Sequence, residues 1–209
     1  MPDPNPGNCF TQEPVLTGFF VAVWLVLASL KAWDFMAEEY RSEERRLLKF
    51  LFTSTMFLCI GTIHGMLQTQ RPIRAWLDSI GSPYGGPGHM IDPLAHAHMN
   101  LIGGVVILIM AATYFLLSRI TEQKLYSYKL VDHTFWWTAI GLFGFYSTLM
   151  GFGIWEGNLL LADLPDELER VHASYYVPTI ATVATIMGMG FWIFFFNVFM
   201  TFRQLKKAK

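Results

Sequence analysis

Residues 94–117 read LAHAHMNLIGGVVILIMAATYFLL, and this stretch decides the fold. It contains no Asp, Glu, Lys or Arg, and as an α-helix rising 1.5 Å per residue it reaches about 36 Å, enough to cross a hydrocarbon core of about 30 Å. A helix is the conformation that satisfies every backbone N–H and C=O of such a run without water. Working outward, four further apolar runs of comparable length occur at 15–36, 50–67, 134–155 and 175–202. The chain is 53% hydrophobic and 15% charged, so its ionisable groups fall in short connections between these runs. The sequence therefore predicts an all-α integral membrane bundle of five transmembrane helices, a single membrane domain over 1–209.

The basic residues set the expected orientation, because Lys and Arg concentrate in short cytoplasmic loops. Lys31, Arg41, Arg45, Arg46 and Lys49 surround the first connection, Arg119, Lys124 and Lys129 the third, and Arg203, Lys206, Lys207 and Lys209 the C-terminus. The opposite face holds only Arg71, Arg74 and Arg170, beside the acidic residues Asp163, Asp166, Glu167 and Glu169. This places the N-terminus outside and the C-terminus in the cytoplasm of a multi-pass protein of a bacterial-type inner (plasma) membrane. Pro2 to Gly7 lacks a basic signal-peptide n-region, so the first apolar run reads as an uncleaved span. A net charge of −1 implies lipid as the surrounding partner and no nucleic acid. Cys9 and Cys59 lie on different elements and match no metal spacing, which argues against a disulfide.

Several chemistries have no motif. There is no nucleophile triad and no Cys-x-x-Cys-His site for covalent haem. Gly85-Gly86-Pro87-Gly88 lacks the strand-to-helix setting of a phosphate loop and reads as a turn within a long outer connection, Gln68 to Pro93. A second outer connection is expected from Glu156 to Ser174. Asp34, Glu38 and Glu39 cluster at one edge of the first span, so no carboxylate chain crosses the membrane for proton pumping.

The histidines carry the functional signal, since ionisable residues inside spans are functional candidates by default. His64 lies near the outer end of the second span, His96 and His98 in the first turns of the third, and His172 just before the fifth, so the sequence places all four at one outer depth. An iron held by two imidazoles needs one from each of two neighbouring helices at matching height, and His64 with His98 satisfies this best. Gly61 and Gly65 flank His64, and Gly103 and Gly104 follow His98, leaving room for a flat macrocycle. His96 and His98 are rotated by about 200° on a helix and point to opposite sides, so they can hardly chelate one ion together and can instead serve two different centres, one on each face, the other reading being a hydrogen-bonded structural histidine. His133 at the inner edge reads as an interfacial residue and His89 sits in the outer loop, neither bearing the cost of deep burial.

The segment Ala95-His96-Ala97-His98-Met99-Asn100-Leu101-Ile102-Gly103-Gly104-Val105, with Tyr114 and Arg119 behind it, resembles a helix of the haem-copper oxidase superfamily. The likeness is to the catalytic subunit I of C-type cytochrome oxidases and bacterial nitric oxide reductases. His133 to Gly153 resembles the next helix, and the last span, with Pro178, Gly188, Gly190 and Asn197, resembles the final one. The chain thus looks like a short five-helix form of the C-terminal helices. The resemblance implies that His96 ligates a high-spin haem and His98 a low-spin haem. The catalytic subunit of that family has more spans than this chain and a second set of histidines for copper or non-haem iron, which has no counterpart here, so no copper is expected.

Together these readings predict a haem b-binding membrane subunit for electron transfer in a respiratory chain, working with a cytochrome or other respiratory membrane subunits. One haem b between His64 and His98 is expected, with a second at His96 and His172 as its opposite ligand. One alternative is part of a split terminal oxidase or nitric oxide reductase, not catalytic alone. The other is a non-haem metal-binding or sensor protein using His89, His96 and His172.

Overall fold

The computed structural model describes residues 43–207; the expected first span at 15–36 and Cys9 lie outside them. Among the described residues, four helices are long and apolar enough to cross a membrane, and there is no strand. We number the helices α1 (Arg45–Gln68), α2 (Arg71–Ser79), α3 (Gly86–Thr121), α4 (Tyr128–Leu161) and α5 (Pro165–Gln204). The runs at 50–67, 94–117, 134–155 and 175–202 fall inside α1, α3, α4 and α5.

Side-chain pairs give the directions. Gly65 meets His96, Gly61 meets Asn100 and Phe57 meets Gly103, so α1 and α3 run antiparallel. The pairs Ile91/Gly153, His98/Phe145 and Tyr114/Thr134 make α3 and α4 antiparallel. Val183 against Gly144, Met187 against Gly141 and Gly190 against Thr138 do the same for α4 and α5. Across the middle, Lys49/Asp132, Phe50/Phe135 and His64/Tyr146 show α1 and α4 parallel. The described helices therefore form an up-down-up-down arrangement, the topology that short connections enforce.

Its two ends differ. At one, Arg46 and Lys49 of α1 both pair with Asp132 of α4, and the Lys49 ammonium lies 5.0 Å from the centre of the Phe135 ring. There the short α3–α4 connection is clamped by α5: the Asn197 amide accepts from the Ser127 N–H at 3.1 Å and donates to the Ser127 carbonyl at 3.0 Å. The Ser127 hydroxyl in turn accepts from the Leu130 N–H, capping α4. At the other end α2 and the residue that follows it bury Leu77 and Ile80 with Ile91 of α3, against Met150 and Ile154 of α4.

Both outer connections are more helical than the sequence suggests. The Gln68–Pro93 stretch contains α2 and the first turns of α3. The expected loop from Glu156 to Ser174 is almost wholly helix, with only 162–164 between α4 and α5. The reason is length: α4 has 34 residues, about 51 Å, so it outruns the bilayer, and polar residues that look like a loop by hydropathy are its projecting turns. α3 is not continuous in direction. Asp92 has extended dihedrals (φ −131°, ψ 113°), as the residue before a proline prefers, so the straight spanning helix starts at Pro93.

Candidate functional site

Three histidines share one level of the bundle. His64 on α1 is only 8% exposed. Its ring lies 5.8 Å from that of His96, nearly perpendicular at 84°, and its Nδ1 is 3.3 Å from the Tyr146 hydroxyl of α4. The His96 Nδ1 donates to the Gly61 carbonyl across the α1–α3 seam at 3.0 Å. The His98 Nδ1 donates to the Leu94 carbonyl one turn back at 2.8 Å, and its ring lies 4.7 Å from that of Phe145 on α4. Carbonyl oxygens only accept, so His96 and His98 each donate from Nδ1; the His98 Nε2 is then left free to offer a lone pair, while that of His96 lies 3.5 Å from the Asn100 amide nitrogen. That is the tautomer and anchoring expected of an iron-ligating imidazole. The backbone widens to π-helical turns at Met99–Val106, immediately after His98, a feature frequent at functional sites.

The grouping is not the one the sequence favours. His64 meets His96, whereas His98, about 200° away around α3, lies on the flank that faces Phe145. The glycines do different work too. A methyl on Gly65 would come 2.5 Å from the His96 Cε1, one on Gly61 would strike the Asn100 amide, and Gly103 and Gly104 close on Phe57 and Leu58. These glycines let α1 and α3 pack closely. The donor chemistry of the histidines thus fits a haem iron, but the α1–α3 seam holds no slot for a macrocycle.

His172 stands apart. Its Nδ1 is 3.0 and 3.2 Å from the two carboxylate oxygens of Glu156, and Glu156 is ten residues beyond Tyr146 on α4, about 15 Å along the axis. The convergence of four histidines on one depth is therefore corrected to three, with His172 in the projecting turns. Glu156 is 1% exposed, and with Glu169 and His172 it lines an open cleft of about 380 Å³ whose other walls include Pro87, Met90 and Leu168. His89 donates to the Pro83 carbonyl, and His133 is exposed at the Lys49 end. His89, His96 and His172 are thus each committed elsewhere, and among the described residues no group of three or more His, Cys, Asp or Glu could hold a metal ion.

Sequence reasoning missed Tyr146, Asn100 and Glu156. Asn100 follows His96 by one turn, so it was legible as a same-face neighbour. Tyr146 and Glu156 were not, because their partners come from other helices.

A family model described as Cytochrome C and Quinol oxidase polypeptide I matches residues 14–184, reaching well before the Asp92 at which the sequence likeness begins. No curated protein and no solved structure matches the chain.

Proposed function

The chain belongs to the haem-copper oxidase subunit I family, and from that premise we propose that it is a haem b-binding membrane subunit that passes electrons within a respiratory assembly. The observation that supports this most is the anchoring of the His96 and His98 rings through Nδ1 to carbonyl oxygens. Haem b supplies a one-electron couple between ferrous and ferric iron. In the reading we favour, His98 would hold the iron through Nε2, with Leu94 keeping the ring in that tautomer and Phe145 packed against the ring. Any further iron ligand would come from a membrane partner chain, because the closed Gly61/Gly65 contact separates His98 from His64. The pairing of His64 with His98 requires α1 and α3 to part at those glycines.

A second reading, a split oxidase or nitric oxide reductase, draws on the other face of α3. There His96, His64 and Tyr146 form a largely buried polar group to which a partner chain would add the missing metal ligands. In both readings the Lys49 end, with Arg45, Arg46 and Lys49, faces the cytoplasm, and the histidines lie toward the outer leaflet.

The test is a reduced-minus-oxidised spectrum of the purified protein with its co-purifying partners, for wild type, His98→Ala and His64→Ala. Loss of the low-spin b signal in His98→Ala with retention in His64→Ala is expected. Loss in both variants restores the His64–His98 pair, and an unchanged signal in His98→Ala sinks the assignment.

A further inference from the structure

Between α2 and the histidine-bearing part of α3 lies a polar cluster that the proposed function does not use. Asp92, at the break where the spanning helix begins, is 8% exposed. Its carboxylate receives the Arg74 guanidinium at 2.5 Å and the Ser82 hydroxyl at 3.1 Å, while that hydroxyl also lies 3.0 Å from the Asp92 carbonyl. Arg74 reaches the Ser82 hydroxyl at 2.8 Å and Asp78 of its own helix at 2.8 Å. One guanidinium therefore ties α2, the turn after it and the α3 break together. Asp92 and Ser82 are the buried members of this cluster, while Asp78 is exposed.

The placement of this clasp matters because the two histidines are anchored differently. His96 is held from α1, through the Gly61 carbonyl. His98 takes its hydrogen bond from its own first turn, through the Leu94 carbonyl, two residues from Asp92, and across the bundle its ring meets the apolar Phe145 ring of α4. Pro93 between them has no N–H and a fixed φ, so a shift of Asp92 is passed to Leu94 and hence to the His98 ring. A buried carboxylate that loses its cation also cannot stay where it is without cost. We infer that Arg74 and Asp92, with Ser82, are positioning residues that set the orientation of His98 while leaving His96 to its own anchor on α1. The inference rests on the haem reading only for what His98 does; the clasp itself is a statement about the 93–100 segment.

The experiment compares wild type, Asp92→Asn, Arg74→Gln, Ser82→Ala and Asp78→Asn as full chains in detergent or nanodiscs. Two quantities are read: amide hydrogen exchange of residues 93–100, and the low-spin b spectrum. Asp92→Asn and Arg74→Gln should raise exchange in 93–100 by about tenfold or more, with α4–α5 amides unchanged, because only a local unit is released. Their low-spin band should broaden or shift. Asp78→Asn, which removes the exposed partner of the same guanidinium, should change neither. If Asp92→Asn does not fold, Ser82→Ala must show the same local exchange change at smaller size. Unchanged exchange in 93–100, or a rise shared by the whole bundle, overturns the clasp. A local rise in protein that carries no haem supports the clasp and overturns the haem reading instead.

Discussion

The α1–α3 and α4–α5 seams use the same sequence device for opposite purposes. Both are antiparallel, and both close at glycines. At the α4–α5 seam, Gly141 lies under the Met187 backbone and Gly190 under that of Thr138, so main chain approaches main chain and the gain is packing alone. At the α1–α3 seam, Gly61 and Gly65 lie under the Asn100 and His96 side chains. There the missing methyl groups make room for an imidazole and an amide, and the seam becomes the floor of a polar group that includes His64 and Tyr146. A glycine on a membrane helix is thus structural or functional according to what the neighbouring helix places over it.

The largest effect that would test this contrast is at the α4–α5 seam. A methyl at Gly141 would sit 2.5 Å from the Met187 Cα, and one at Gly190 2.7 Å from the Thr138 N. Backbone has nowhere to go, so Gly141→Ala and Gly190→Ala should each cost near the top of the roughly 1–3 kcal/mol typical of overpacking. The measurement is denaturant or thermal unfolding in detergent, and a wild-type midpoint for both would mean that the helices are not so close. Gly65→Ala comes next. It meets a side chain that can tilt, so about 1 kcal/mol is expected, together with a change in whatever spectrum belongs to His96 and none in that of His98. A response of the His98 signal alone would reverse the assignment of the two faces.

The smallest effect is at the start of α5, where Arg170 donates to Glu167 in the open. That hydrogen bond holds the Glu167 carboxyl below its ordinary value. A depressed carboxyl contributes stability above its unfolded pKa and loses it as pH falls through the lower folded value. For so exposed a pair, screening leaves little of this. Glu167→Gln should therefore match wild type in unfolding midpoint below both values and differ barely at pH 7; a clear drop at pH 7 would show that the pair is shielded by something packed over it.

Much of this architecture was legible along the chain, and the part that was not has a single cause. Spans at 50–67, 94–117, 134–155 and 175–202 follow from runs of apolar residues, since the bilayer imposes length and backbone satisfaction on each run separately. The opposite facing of His96 and His98 follows from helix geometry within one segment. The choice of partner across helices does not, and the sequence paired His64 with His98 where the structure sets His64 beside His96. Depth failed for the same reason. His172 looked level with the others when helices were assumed to end at the membrane surface, yet α4 and α5 continue past it and carry His172 to Glu156.

Composition and periodicity, then, determined that this is a helical membrane protein with histidines near one end of its spans, and the His-x-His segment pointed to the family. Those are local properties, each written in one stretch of chain. Only the tertiary structure decided which face each histidine occupies, that the glycines close a seam and leave no slot there, and that Arg74 reaches Asp92. These depend on the rotation and axial offset of one helix against another, which packing sets jointly for all of them.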